Sequence, residues 1–232
     1  MKIVNIKANL EEIYKNIEEA ALKTGRSPED ITLIAVTKTV DVDVINKAIE
    51  LGVNNIGESR VQEILRKYDL VKDGPTWHMI GHLQTNKVKY IIDKIDLIHS
   101  LDRLSLAQEL QKRAQQHNIF VNALIQVNIA EEESKYGLYG DAVIPFIEEI
   151  IKYPKIKIKG LMTIAPYAEN PEEIRYVFRQ LKELSEELKK RGYPNVEMKY
   201  LSMGMTNDYK IAIEEGSNMV RIGTGIFGRR SY

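Results

Sequence analysis

The sequence predicts an α/β protein folded as a single (β/α)8 barrel of the TIM type, with an extra N-terminal helix that completes the outer ring. Short apolar runs alternate with segments whose apolar residues are spaced by three and four, a pattern typical of parallel strands connected by helices. Eight such runs occur, which is the number of strands that closes a TIM-type barrel. No linker divides the chain, so we expect one domain over residues 1–232.

Each of the eight apolar runs predicts a buried strand. In chain order they cover 31–38, 54–59, 76–81, 96–101, 120–129, 156–165, 197–203 and 218–223. Helical spacing lies between them, at 44–49, 88–92, 104–110, 144–151 and 171–191. The last of these segments begins with Pro171, a residue favoured at the first position of a helix, and ends before Gly192.

The two ends of the chain support closure of the barrel. Near the N-terminus, Leu10, Ile13 and Ile17 share one face of an amphipathic helix. Only residues 224–232 follow the last strand, too few for an eighth outer helix, so we expect the N-terminal helix to take its place. The alternative fold is an open doubly wound sheet, but the Gly-rich turn that would follow its first strand is missing.

Composition excludes several classes of function. Lysine plus arginine and aspartate plus glutamate each number 33, so no net charge draws the chain to nucleic acid or to an anionic membrane. The lack of cysteine excludes disulfides, a thiol nucleophile and thiolate metal sites. Residues 1–9 lack the apolar stretch of a signal peptide, and no segment has transmembrane length. We therefore expect a cytoplasmic protein that binds neither nucleic acid nor membrane.

Lys38 closes the first apolar run, at the point where a buried strand gives way to a loop. A charged amine is rarely buried without a partner. At the mouth of a barrel, a partly desolvated lysine can lose its proton and form a Schiff base with a carbonyl. The commoner alternative is a lysine that extends its ammonium group into solvent.

Polar and small residues follow strands 7 and 8, where barrel phosphate sites are frequently built. Ser202 and Gly204 lie at the end of strand 7, and Gly223 and Thr224 at the end of strand 8. They offer hydroxyls and unobstructed backbone N–H groups to a phosphate. Glycine in a turn also has a purely structural explanation. Two such loops side by side favour a phosphate.

Arg221 lies two residues before Gly223, so both should face the same side of strand 8. An arginine that points into a barrel needs an acceptor or a ligand. The structural alternative is an ion pair with Glu58 or another carboxylate at the rim. A phosphate site, a Schiff-base lysine and an inward arginine together indicate a phosphorylated aldehyde with an acceptor nitrogen, which is pyridoxal phosphate (PLP).

Several motifs carry a family resemblance along essentially the whole chain. They are Ile34 to Lys38, Ile56-Gly57-Glu58, Val61-Gln62-Glu63, Trp77 to Lys87, Gly160 to Thr163, Leu201 to Met205 and Val220 to Thr224. They resemble the single-domain PLP homeostasis proteins, a family similar in fold to the barrel domain of alanine racemase. The resemblance departs at Ser59, where the family usually has asparagine, and a serine can replace only part of a side-chain amide contact from that position.

The resemblance implies that Lys38 holds PLP as an internal aldimine. It also implies that Ser202, Gly223 and Thr224 hold the phosphate, that Arg221 faces the pyridine nitrogen, and that His82 packs near the ring. The full set of predicted cofactor-binding residues is Lys38, Ser59, His82, Ser202, Met203, Gly204, Arg221, Gly223 and Thr224. No metal site is expected, because His78 and His82 lie across a strand end and lose the geometry of a helical metal pair.

Arg221 also bears on turnover. A guanidinium only donates hydrogen bonds, so a pyridine nitrogen facing it must accept and stays unprotonated, which weakens the ring as an electron sink. The resemblance and Arg221 together predict a protein of intracellular PLP homeostasis with little or no catalysis, acting as a monomer. Its expected partners are PLP and the apo-enzymes that would receive the cofactor. The alternatives are a low-activity amino-acid racemase, with Tyr136 or Tyr167 as second base, and an aldolase-type barrel that uses Lys38 without PLP.

Overall fold

A computed structural model describes residues 5–228 as a closed eight-stranded barrel, which confirms the predicted fold. The strands follow one another around the barrel in chain order, and every neighbouring pair is parallel. They are β1 Thr32–Val36, β2 Asn55–Glu58, β3 Thr76–Met79, β4 Leu97–Leu101, β5 Val121–Gln126, β6 Ile156–Met162, β7 Val196–Ser202 and β8 Met219–Ile222. Each predicted run overlaps one of these strands and contains it, except that β7 begins one residue before its run.

The helices form the outer layer. They are α1 Ile6–Lys23, α2 Val42–Glu50, α3 Val61–Lys67, α4 Leu104–Gln116, α5 Val143–Ile150, α6 Arg175–Arg191, α7 Tyr209–Glu214 and α8 Thr224–Phe227. Short 3-10 helices cover Pro28–Asp30, Thr85–Tyr90, Gly140–Ala142 and Pro171–Ile174. Two of the predicted helical segments differ from the structure in helix type or starting residue. The segment 88–92 belongs partly to a 3-10 turn, and the segment that starts at Pro171 becomes α-helical only at Arg175.

The N-terminal helix takes the predicted place in the outer ring. Asn5 caps α1, its side chain accepting a hydrogen bond from the amide of Ala8 at 3.1 Å. The apolar face of α1 is buried against α7 and α8, the two shortest outer helices at this seam. Asn9 donates from Nδ2 to the carbonyl of Ile226 in α8 at 2.8 Å. Residues from the two ends of the chain thus pack together.

The inside of the barrel has its own apolar cluster, separate from the larger core between the sheet and the helices. It consists of Ile34, Leu97, Leu124, Met162 and Met219, one residue from each of five strands. In β1, the neighbours Leu33 and Ala35 belong instead to the outer core, as strand alternation requires. The barrel is therefore packed with side chains and is closed as a channel.

Among residues 5–228, none of the helices combines the length and the apolar character that crossing a membrane requires.

Candidate cofactor-binding site

A cleft of about 620 Å³ lies at the carboxyl ends of the strands. Its walls come from the segments that follow β1, β6, β7 and β8, together with one residue of the loop after β5. The residues that line it include Val36, Lys38, Lys135, Ala165, Tyr167, Met205, Thr206, Asp208, Arg221, Gly223 and Thr224. Four of the nine predicted cofactor-binding residues are among them, namely Lys38, Arg221, Gly223 and Thr224.

Lys38 is exposed and follows β1 by two residues. The turn that carries it is tightly defined, because Thr39 has a left-handed backbone (φ 60°) and the amide of Val40 donates to the carbonyl of Thr37 at 3.0 Å. A non-glycine residue in this region is uncommon and persists only where its surroundings hold it. The turn therefore fixes the position of the Lys38 backbone, from which the side chain and its amine extend.

Buried charges hold this turn from behind. Lys67, at the end of α3, is completely buried, and its Nζ donates to the carbonyl of Thr37 at 2.9 Å and to Glu58 Oε1 at 2.8 Å. Thr37 Oγ1 donates to the same carboxylate oxygen at 2.7 Å, and Glu63 pairs with Lys67 at 2.8 Å. Burial raises the pKa of Glu58, and its contacts with Lys67 and Thr37 oppose that shift. The sequence analysis missed Lys67, although its spacing of four from Glu63 on a helix was a signal.

Arg221 enters the barrel from β8 and is only 4% exposed. Its Nη1 donates to Ser202 Oγ at 2.5 Å and its Nη2 to the carbonyl of Thr163 at 2.8 Å. Burial lowers the pKa of Arg221 to about 10, and the charge of Asp208 acts in the opposite direction. The guanidinium therefore stays charged at neutral pH. An ion pair with Glu58, the structural alternative, is not formed, since Glu58 is committed to Lys67.

Thr206 is a cleft residue that was not among those predicted for the phosphate site. Thr224 Oγ1 donates to Thr206 Oγ1 at 3.1 Å, and the amide of Gly225 donates to the same oxygen at 3.4 Å. Two hydroxyls and a backbone N–H from the loops after β7 and β8 thus converge on one point of the cleft wall. The signal was a hydroxyl residue directly after Met205, in a loop already chosen for a phosphate.

Five predicted residues do not line the cleft, and their roles there stay predictions. Ser202 and Met203 are completely buried, and the side chain of Met203 belongs to the outer core. The Met203 amide donates to the carbonyl of Met219, and its carbonyl accepts from Ser217, so its backbone is also occupied. Ser59 is partly exposed on the β2 side of the rim.

His82 lies on the same side of the rim and faces an aromatic ring. Its imidazole stacks on Tyr136 with ring centroids 4.0 Å apart and an interplanar angle of 21°. Within the described residues its Nδ1 has no hydrogen-bond partner, the nearest carboxylate oxygen being Asp102 Oδ2 at 3.9 Å. Burial lowers the pKa of His82, and the charge of Arg103 acts in the same direction. His82 is therefore a neutral ring available for stacking.

Gly204 shapes the loop from beneath. Its backbone has φ +93°, and a Cβ there would lie 2.6 Å from Ala212 Cβ and 2.9 Å from Tyr209 Cα. Its carbonyl accepts from the amide of Arg221 at 3.0 Å, which ties the loop to β8. Glycine at this position therefore allows α7 to pack against the loop.

We expect Gly204→Ala to lower the free energy of unfolding by about 2–4 kcal/mol, because it combines a disfavoured backbone with a clash against α7. Denaturant unfolding measures the loss. Gly140→Ala is the control, since a Cβ at Gly140 meets nothing within 4 Å. Equal stability of the two variants would contradict the packing described for Gly204.

A row of polar side chains crosses the barrel below the cleft. Ser202 Oγ lies 2.9 Å from His99 Nδ1, His99 Nε2 lies 3.0 Å from His78 Nδ1, and His78 Nε2 lies 3.0 Å from Asn55 Oδ1. Burial lowers the pKa of His78 to about 4, and burial, followed by the charges of His78 and Arg221, holds the pKa of His99 well below its ordinary value. Both rings are therefore neutral at physiological pH.

These two histidines predict a loss of stability in mild acid. Because they take up protons at lower pH when folded than when unfolded, the unfolded chain binds more protons below pH 6.5. Their stability contribution is complete above pH 6.5 and is lost as the pH falls towards about 4, by about 3 kcal/mol for His78 alone. Denaturant unfolding at pH 7 and pH 5, with His78→Asn as comparison, measures the slope. An equally steep loss in that variant would contradict the assignment.

The donor set of the cleft fits a phosphorylated aldehyde with an acceptor nitrogen. Thr206, Thr224 and the amide of Gly225 suit an anionic phosphate, and Lys38 supplies an amine. Arg221 supplies a cationic donor that cannot accept a hydrogen bond. Clusters of His, Cys, Asp and Glu that could hold a metal ion do not occur among residues 5–228.

Fold and site together define a barrel of the alanine racemase type. The family described as "Alanine racemase, N-terminal domain" matches residues 8–231. An alanine racemase of Clostridium difficile has the same fold, with a TM-score of 0.73 at 18% identity, over 98% of this chain and 57% of the racemase.

More similar relatives narrow the family. A pyridoxal phosphate homeostasis protein of Aquifex aeolicus is 46% identical over 230 residues, covering 99% of this chain and all of the relative. The chain belongs to the pyridoxal phosphate homeostasis protein family, which confirms the resemblance seen in the sequence.

Solved structures agree with this membership. A protein of unknown function from Bifidobacterium adolescentis superimposes with a TM-score of 0.90 at 34% identity, over 96% of this chain and 94% of that one. PipY of Synechococcus elongatus, solved with PLP bound, gives a TM-score of 0.79 at 31% identity, over 91% of this chain and 100% of PipY.

Proposed function

We propose that this protein binds PLP in the cleft through a Schiff-base linkage to Lys38 and serves in the homeostasis of that cofactor, with little or no turnover. One observation carries the proposal. Lys38, two residues after β1, and Arg221, on the neighbouring strand β8, line the same cleft as the hydroxyl cluster of Thr206 and Thr224. The names of the relatives and the PLP bound to PipY support it.

Each group of the cleft has a distinct task in this proposal. Thr206, Thr224 and the Gly225 amide donate hydrogen bonds to the phosphate, while Lys38 supplies the nucleophilic amine. PLP itself supplies an aldehyde that condenses with amines and a ring that draws electrons from them. The buried pair of Lys67 and Glu58 keeps the turn of Lys38 in place.

Arg221 limits what the site does with its ligand. Two of its N–H groups are held by Ser202 and Thr163, and its remaining donors are available to the cleft that it lines. Because a charged guanidinium has no lone pair to offer, it keeps a facing ring nitrogen unprotonated. Arg221 therefore favours retention of the cofactor over reactions that need a strong electron sink.

A low-activity racemase is the second candidate, and Tyr167 is the observation that favours it. Tyr167 lines the cleft, as a second base would have to, but it is 80% exposed. Tyr136 is committed to the stack on His82. Exchange of the α-hydrogen of alanine with D2O tests this candidate: exchange at enzymatic rates that Tyr167→Phe abolishes would favour a racemase over a non-catalytic carrier.

The absorption spectrum of the protein tests PLP binding. We expect a yellow protein whose visible band is lost on borohydride reduction, with the cofactor then fixed to the peptide that contains Lys38. Lys38→Ala should lose the band. Lys135→Ala should keep it, because Lys135, the other lysine of the cleft, pairs with Glu132 at 3.0 Å. A colourless protein that PLP cannot reconstitute would exclude this function and leave the aldolase-type alternative.

The proposal has further parts that rest on the sequence. We propose that residues 1–232 form one PLP-binding domain, that the protein acts as a monomer in the cytoplasm, and that apo-enzymes which need PLP receive it from this protein. Static light scattering tests the monomer. Mixing the loaded protein with an apo-transaminase tests transfer. If transfer is direct, the enzyme should become active faster than spontaneous dissociation releases PLP from the loaded protein.

A further inference from the structure

The polar row inside the barrel connects the cleft with the opposite end of the molecule. It runs from Arg221 through Ser202, His99 and His78 to Asn55, with successive separations of 2.5, 2.9, 3.0 and 3.0 Å. Asn55 begins β2 and lines a second cavity of about 280 Å³, at the amino ends of the strands. The row thus spans the barrel from one mouth to the other.

The direction of the hydrogen bonds in this row follows from the partners of Ser202. A guanidinium only donates, so Ser202 Oγ accepts from Arg221, and His99 Nδ1 is the one other partner of this hydroxyl among the described residues, so its proton goes there. Since that nitrogen accepts, neutral His99 carries its proton on Nε2 and donates it to His78 Nδ1. His78 is then protonated on Nε2 and donates to the amide oxygen of Asn55. All four bonds point away from the cleft.

The surroundings make this arrangement specific. His99 and Ser202 are completely buried and His78 is 2% exposed, so an unpaired polar atom there would be costly. The neighbouring interior positions hold Ile34, Leu97, Leu124, Met162 and Met219, which offer no side-chain donor and, as acceptors, the weak thioether sulfurs of the two methionines. Arg221 is the charged group bonded to the row, and the charged side chains of Asp96, Lys159 and Lys199 line the cavity at its far end. Apolar side chains like those around the row would fill the same space, so packing alone does not explain why these interior positions are polar.

We propose that His99 is a positioning residue for Arg221. By accepting the proton of Ser202, it turns a lone pair of Ser202 towards Nη1 of Arg221 and so fixes the guanidinium in the orientation that faces the bound cofactor ring. This inference rests on the proposed function as far as the ring is concerned. The direction of the row is a property of the protein alone, which allows the two to be tested separately.

Nitrogen NMR of 15N-histidine-labelled protein, freed of cofactor, tests the direction. Both His78 and His99 should show the neutral Nε2–H tautomer, with the exposed His117 as a resolved reference imidazole. A proton on Nδ1 of His99 would overturn the proposal, because Ser202 could not then donate to that ring.

PLP binding by two His99 variants tests the consequence. His99→Asn keeps an acceptor near Ser202, and His99→Leu removes it. We expect about tenfold weaker PLP binding and a shifted absorption maximum in His99→Leu, against a change of about twofold or less in His99→Asn, the tenfold loss being that of one buried hydrogen bond. Equal binding and identical spectra in wild type and His99→Leu would overturn the role of His99.

A second variant covers the case in which His99→Leu does not fold. Asn55→Leu removes the last acceptor of the row while leaving His99, Ser202 and Arg221 in place. The His78 Nε2 resonance should then shift, because its proton has lost its acceptor, and PLP binding should weaken by about threefold, less than for a direct change next to Ser202. Unchanged His78 resonances would overturn the coupling along the row. If wild-type protein shows the expected tautomers but takes up no PLP at Lys38, the proposed function is wrong, whereas the assigned direction of the hydrogen bonds in the row is confirmed.

Discussion

Lys67→Met is expected to lower the free energy of unfolding by about 3–5 kcal/mol, the usual cost of removing one partner from a buried ion pair. Lys67 and Glu58 are both completely buried, and Lys67 donates both to Glu58 and to the carbonyl of Thr37. Without Lys67, the Glu58 carboxylate stays in the interior with Thr37 as its remaining hydrogen-bond donor among the described residues. Urea unfolding monitored by circular dichroism measures the change.

Two variants frame this prediction. Lys72→Met breaks the ion pair with Glu50, whose side chains are 55% and 57% exposed, so it should cost about 1 kcal/mol or less. The double variant Lys67→Met/Glu58→Gln should recover part of the loss, because the stranded charge is gone. A loss for Lys67→Met as small as that for Lys72→Met would show that the pair does not support the turn of Lys38.

Arg221→Glu is expected to change the absorption spectrum of the PLP-loaded protein and to make slow transamination with L-alanine detectable. A carboxylate in place of the guanidinium favours a protonated ring nitrogen, and a protonated ring withdraws electrons more strongly. The same change strands an acidic group beside the buried Asp208, so a loss of stability of about 3 kcal/mol or more should accompany it.

Arg221→Lys is the matched control. It keeps a cationic donor at this position but loses the fork that reaches both Ser202 and Thr163. Its spectrum should stay close to that of wild type, with weaker PLP binding. Pyridoxamine phosphate formed during incubation with L-alanine is the direct readout. An unaltered spectrum in Arg221→Glu would mean that Arg221 does not face the ring.

The sequence was sufficient to predict the barrel and two charged residues of the cleft, Lys38 and Arg221. Eight apolar runs and the amphipathic face of α1 predict closure, because strand and helix periods are local properties. Lys38 and Arg221 could be found because each is a charge placed in an apolar run. Both belong to the lining of one cleft.

The residues that sequence reasoning missed owe their roles to long-range contacts. His99 meets Ser202 across 103 residues of chain, and Lys67 meets Thr37 across 30. No sequence periodicity connects such positions. His99 lies within an apolar run that was interpreted only as a buried strand. Except at β4, the predicted strands were also longer than the observed ones at their carboxyl ends, since apolar residues there pack into loops after the ladder has ended. β1, for example, ends at Val36, before the left-handed Thr39.

The seam at which α1 packs on α8 sets when this chain can finish folding. Asn9 bonds to Ile226 across 217 positions, and β1 pairs with β8, so segments that leave the ribosome far apart in time complete the same wall. During synthesis β1 has one open edge and α1 an uncovered apolar face until β8 and α8 emerge. Such distant pairing slows folding and exposes nascent chains to aggregation. Chaperone demand during translation should therefore be greatest just before β8 emerges.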